Sequence, residues 1–105
     1  MTTGPEEARI WDELHAVEDP DLGIDVVNLG LVYGVAVDGK RVQVTMTLTT
    51  MGCPAAEEIE TRVRQRVASV SGVEEVVVDW TFDPPWTPER LTEEGRDMLM
   101  ALGYL

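Results

Sequence analysis

Cysteine is nearly absent from this 105-residue sequence: Cys53 is the only one. A single thiol excludes an intramolecular disulfide framework and any Cys-x-x-Cys zinc or redox motif within one chain. It fits a reducing compartment, the cytoplasm. Basic residues are scarce too, 8 against 20 acidic ones, which leaves a net charge of −12. Such a surface repels nucleic-acid phosphates and anionic lipid headgroups, so neither nucleic acid nor membrane is an expected partner. No apolar run reaches the roughly 18 residues of a membrane span, and no basic stretch followed by an apolar one opens the sequence. A glycine-rich phosphate loop and the G-x-S-x-G and H-E-x-x-H signatures are also missing, which leaves the common enzyme motifs unsupported.

What is present suits one small globular domain spanning 1–105. Hydrophobic residues make up 44% of the chain, too many for a disordered acidic tail. The first element is a helix: Thr3 or Gly4 suits its cap, Pro5 its first turn, and Ile10, Leu14 and Val17 recur at helical spacing. It should stop before Asp19-Pro20. The stretch DPDLGIDVVNLG, 19–30, mixes acids, a proline and glycines and predicts a shaped loop.

Leu31 to Val37 and Val42 to Leu48 come next as two strands, and the Asp38-Gly39 step between them is a strong hairpin signal. In the second strand Val42, Val44, Met46 and Leu48 should face a core while Gln43, Thr45, Thr47 and Thr49 face away. Pro54 opens a second helix with an apolar stripe of Ala56, Ile59, Val63, Val67 and Val70. Its opposite, solvated face carries the Glu58–Arg62 and Glu60–Arg64 pairs. Val73 to Phe82 is a third strand, with Val76, Val78, Trp80 and Phe82 on one face. The prolines of Asp83-Pro84-Pro85-Trp86-Thr87-Pro88 enforce an extended arm. A short last helix then begins at Thr87 or Thr92, puts Leu91, Met98 and Leu102 on one face, and ends at Gly103. The predicted class is α+β: a two-layer domain, helix–hairpin–helix–strand, with the helices on one face of a small mixed sheet.

Cys53 carries the chemistry with the sharpest local setting. It precedes Pro54 at the expected helix start, where unpaired amides and the helix dipole favour a thiolate able to bind metal or attack an electrophile. The hydroxyls of Thr49 and Thr50 are close in sequence and can donate to it. A small buried hydrophobe is the alternative reading of the same residue. Asp19, Asp21 and Asp25 offer hard oxygen ligands or a base, although their spacing is not that of an EF-hand and turn formation also accounts for them. His15 reads as a partly exposed helical histidine or a metal ligand, and Met98 and Met100 read as packing.

Three segments in order, EDPDLGIDVVNLGLVY, TMTLTTMGCP and DPPWTPERLTEEGRDML, resemble the SufT/PaaD family of iron–sulfur cluster assembly proteins. The resemblance covers nearly the whole chain and implies a two-layer α+β domain that assists cluster assembly or delivery. Carried over by position, it implies a polar cluster of Asp19, Asp21, Thr49 and Thr50 around Cys53. Asp21 stands where the family usually has Glu, and Met51 where it usually has proline.

Iron–sulfur clusters are generally held by about four thiolates, and this chain offers one. Cys53 is therefore a candidate shared ligand for a transient cluster, bridged to another copy in a homo-oligomer or to a partner protein. The partners implied are assembly machinery or client proteins, with Trp86 on the Pro-Pro-Trp arm as an apolar anchor. Two other classes fit the residues: a thiol enzyme with Cys53 as nucleophile, and an adaptor that binds partners without metal.

Overall fold

A computed structural model of the chain describes residues 6–20, 23–48 and 56–103. Its elements are α1 (Glu7–Leu14), β1 (Val32–Asp38), β2 (Arg41–Met46), α2 (Ala56–Ala68), β3 (Glu75–Trp80), a 3-10 turn (Pro88–Arg90) and α3 (Glu93–Leu102). The strands lie in the order β1-β2-β3, with β1 antiparallel and β3 parallel to the central β2. The expected mixed sheet, hairpin and short last helix are all present. Among the described residues no helix is long and apolar enough to cross a membrane.

Helix α1 buries Ile10 and Leu14, and Val17 is buried in the turn after it. Glu6 holds the N-cap position without a side-chain bond, so the helix starts later than a cap at Thr3 or Gly4 would place it. It also ends sooner than expected, because His15 already occupies the C-cap. The hairpin closes through Gly39 and Lys40, and the positive φ of Gly39 (+60°) is the conformation such a tight connection needs. A bulge at Tyr33 interrupts the ladder between Val32↔Met46 and Gly34↔Thr45.

Val42, Val44 and Met46 of β2 are fully buried beneath α1 and α2, together with Ile59, Val63 and Val67. The alternation breaks at Thr47, which is buried rather than turned away. The Thr47 N–H donates to the Leu31 carbonyl, and the neighbouring Met46 carbonyl accepts from Thr81, so chain flanks the end of β2 on both sides.

The acid–base pairs of α2 form as the spacing predicts, Glu58–Arg62 at 2.7 Å and Glu60–Arg64 at 3.3 Å. The second pair is not confined to solvent. Glu60 Oε1 accepts the Trp80 indole N–H at 2.6 Å, and Arg64 donates to the Val76 carbonyl at 2.6 Å, so the pair fastens α2 to β3.

Helix α3 is capped by Thr92, whose hydroxyl accepts from the Gly95 N–H at 2.9 Å, and it ends on a left-handed Gly103. Its inward face differs from the expected one. Leu91, Gly95 and Leu99 are buried, whereas Leu102 is 57% exposed. Gly95, without a side chain, lets the helix backbone settle against the Asn28 carbonyl, and Leu99, one turn on, is buried beside it, while Leu102 is the last residue of the helix.

Candidate functional site

The loop between α1 and β1 is built around short polar contacts. Asp25, largely buried, accepts the Asn28 backbone N–H at 3.0 Å with one carboxylate oxygen and the Asn28 side-chain amide at 2.6 Å with the other. His15 Nδ1 lies 3.1 Å from Asp25 Oδ2, which ties the end of α1 to the same carboxylate. The arrangement is an Asx-type turn, the local structure that competes well with helix and strand wherever Asp and Asn fall together.

Asp19, one of the predicted site residues, is buried in this loop. Its N–H donates to the Ile24 carbonyl at 2.9 Å, its own carbonyl accepts from Gly23 at 2.8 Å, and Glu18 bridges to Asp25 alongside. Asp21, Thr49, Thr50 and Cys53 lie outside the described residues, as does the expected position of Cys53 at the start of α2. The described chain leaves β2 through Leu48 and resumes at Ala56, where α2 begins. Beside that first turn Ala56, Glu57, Glu60, Thr61 and Trp80 line an open cleft of about 440 Å³. Among the described residues no group of three His, Cys, Asp or Glu side chains is placed to hold a metal ion.

Trp86 is only partly exposed. Its indole N–H donates to the Leu29 carbonyl at 2.7 Å and its ring packs against the core, so the arm it belongs to is pinned to the loop. Further pins are the Tyr33 hydroxyl donating to the Pro84 carbonyl at 2.7 Å, the Arg90 guanidinium 4.5 Å from the Tyr33 ring centre, and the Thr92 N–H donating to the Asn28 carbonyl at 3.0 Å. The Thr92 hydroxyl donates to Asn28 Oδ1 at 2.5 Å. Asn28 is therefore the hub between the acidic loop and α3. Sequence reasoning missed it; the only signal is an Asn two residues before a glycine within a loop already marked as shaped.

A protein-family model described as iron–sulfur cluster assembly protein matches residues 7–79, more than half of the chain. The chain belongs to this family. Among its iron–sulfur assembly relatives is an Fe-S protein maturation auxiliary factor of Porphyromonas gingivalis, 46% identical over 94% of this chain and 92% of the relative. The Fe-S protein maturation auxiliary factor SufT of Staphylococcus aureus is 43% identical over 83% of this chain and 97% of its own. The family fold is likewise that of a crystal structure from Bacillus anthracis described as domain of unknown function DUF59, with a TM-score of 0.85 and 40% identity. That likeness covers 94% of this chain and 92% of the other.

Proposed function

We propose that this protein is an accessory factor in iron–sulfur cluster assembly or delivery, in which Cys53 is the transfer or docking thiol. The observation that carries the reading is the near full-length likeness to maturation auxiliary factors in a chain whose only thiol sits in the Thr-Thr-Met-Gly-Cys-Pro segment. In this reading the cluster is cargo. With one thiol per chain, its remaining ligands come from another copy, a client or an assembly partner, and such shared ligation favours handover over storage. Asp19, Asp21, Thr49 and Thr50 tune the thiol, and the exposed part of Trp86 contacts the partner. The protein acts in the cytoplasm, where a lone thiol stays reduced, and it is not principally an enzyme.

The test is anaerobic reconstitution with iron and sulfide, comparing the native chain with Cys53→Ser by absorption spectrum, iron and sulfide content, and sedimentation. A cluster that forms only with Cys53 and whose bound fraction rises with chain concentration is the expected result. Equal loading of both proteins, or full support of client maturation by Cys53→Ser, would remove the thiol from the mechanism.

A further inference from the structure

The two edges of the sheet are finished differently. On β3 the Val76 carbonyl is occupied by the Arg64 guanidinium, and Glu75 and Asp79 place charges along the strand. Charge and side-chain capping are the usual means of blunting an edge against strand addition. On β1 the run Gly34–Asp38 has neither lysine nor proline, and Asp38 is its only charge.

The hairpin geometry says which groups of that edge are free. A two-residue connection makes Asp38↔Arg41 a hydrogen-bonded pair, and alternation then makes Ala36↔Gln43 and Gly34↔Thr45 hydrogen-bonded as well. Val35 and Val37 therefore direct both their N–H and C=O groups away from β2. No other backbone or side-chain hydrogen bond among the described residues uses them. Both valines are half-buried and belong to the apolar layer packed on the core.

Gly34 follows the Tyr33 bulge, a usual setting for a glycine within a strand, and opens the regular run of the edge. A Cβ built on it would meet nothing within 4 Å among the described residues, so there is room beside it.

We infer that β1 is a homodimer edge, pairing antiparallel with β1 of a second copy about a two-fold axis through Ala36. This register sets Val35 against the second copy's Val37 and Val37 against its Val35, so that the free N–H and C=O groups close two hydrogen-bonded pairs. Ala36 meets its own copy at the narrow, non-hydrogen-bonded position, where a small side chain fits. Gly34 lies opposite the other Asp38, which fills the open space without bringing like charges together. The half-exposed valines continue as one apolar seam, and the two sheets become a single sheet of six strands. A second copy satisfies every position of the run with the same run, which a two-fold interface requires.

Charge sets the sign of the salt dependence. Each copy carries a net charge of −12, so association works against long-range repulsion and tightens as salt screens it. This interface uses no residue of the thiol segment and stands or falls separately from the Cys53 reading.

Sedimentation equilibrium of the full chain tests it, at 50 and 500 mM NaCl over a range of concentrations. The expected result is a monomer–dimer equilibrium several-fold tighter at the higher salt, unchanged in Cys53→Ser, and lost in Ala36→Lys with the monomer's circular dichroism intact. Register is tested by oxidative cross-linking in the Cys53→Ser background. Ala36→Cys should form a disulfide-linked dimer, since Cα atoms about 4.5 Å apart at a narrow pair lie within disulfide range, whereas Asp38→Cys should not. A chain that stays monomeric at both salts, or cross-linking of Asp38→Cys as efficient as that of Ala36→Cys, would overturn the proposal.

Discussion

The carbonyl oxygen of Asn28 occupies the space that a side chain on Gly95 would need. Helix α3 is thus held to the loop by backbone against backbone, with Thr92 bonded to Asn28 on the same side. Gly95→Ala sets a gain in helix propensity of about 1 kcal/mol against overlap with a main-chain carbonyl that cannot rotate away. We expect a net loss of about 1–3 kcal/mol in urea unfolding. The amides of Thr92 and Arg96 should also lose hydrogen-exchange protection while those of β2 keep theirs. A variant more stable than the parent would mean that α3 is not seated as described.

Asp25 anchors two donors of Asn28 from a largely buried position. Asp25→Ala leaves both donors without their acceptor and should cost about 2–3 kcal/mol, measured by equilibrium unfolding. Because Asn28 also accepts from Thr92, loosening should reach α3 and be visible as reduced helical signal below the main transition.

Thr47 is fully buried, and its hydroxyl has no hydrogen-bond partner among the described residues. Replacement by valine keeps the shape and removes a desolvated hydroxyl. Thr47→Val should raise stability by about 1 kcal/mol, seen as a higher urea midpoint at unchanged slope. Destabilisation instead would show that the hydroxyl is used.

The contact between Trp80 and Glu60 is open to a double-mutant cycle with Trp80→Phe and Glu60→Gln. Coupling of about 1 kcal/mol is expected for a part-buried indole donating to a carboxylate that also holds Arg64. Glu60→Gln should also shift the emission of Trp80, read in a background where Trp11 and Trp86 are replaced by phenylalanine. Strict additivity of the two substitutions would remove the fastening role given to this pair.

The elements governed by local chemistry were legible in the sequence. The Asp38-Gly39 step located the hairpin, the alternation from Val42 located β2, the stripe from Ile59 to Val67 located the buried face of α2, and the ends of α3 fall at Thr92, one of the two caps the sequence offered, and at Gly103. Each of these depends on residues within one turn or one pleat of each other. What escaped was decided by distant chain. Burial of Thr47 depends on Leu31 and Thr81, the seating of α3 on Asn28, and the joining role of Glu60 on Trp80. None of those pairings has a periodicity to announce it. Of the predicted site residues, Asp19 proves to be a buried loop residue and Trp86 a half-buried brace. Cys53, Asp21, Thr49 and Thr50 rest on the local reading of the sequence and on the family resemblance, because they lie outside the described residues.

The family-model match ends at residue 79, one residue short of the end of β3, although full-length relatives align over 94% of the chain. From there the chain returns across the molecule as a strap: Pro84 receives the Tyr33 hydroxyl, Trp86 serves the Leu29 carbonyl, Thr92 serves that of Asn28, and Leu91 and Leu99 close over the core. Cutting the polypeptide where that match ends would sever the last rung of the parallel ladder, open the core beneath Leu91 and Leu99 to water, and leave the Asn28 and Leu29 carbonyls without their protein donors. A transplantable unit therefore has to keep the strap through α3.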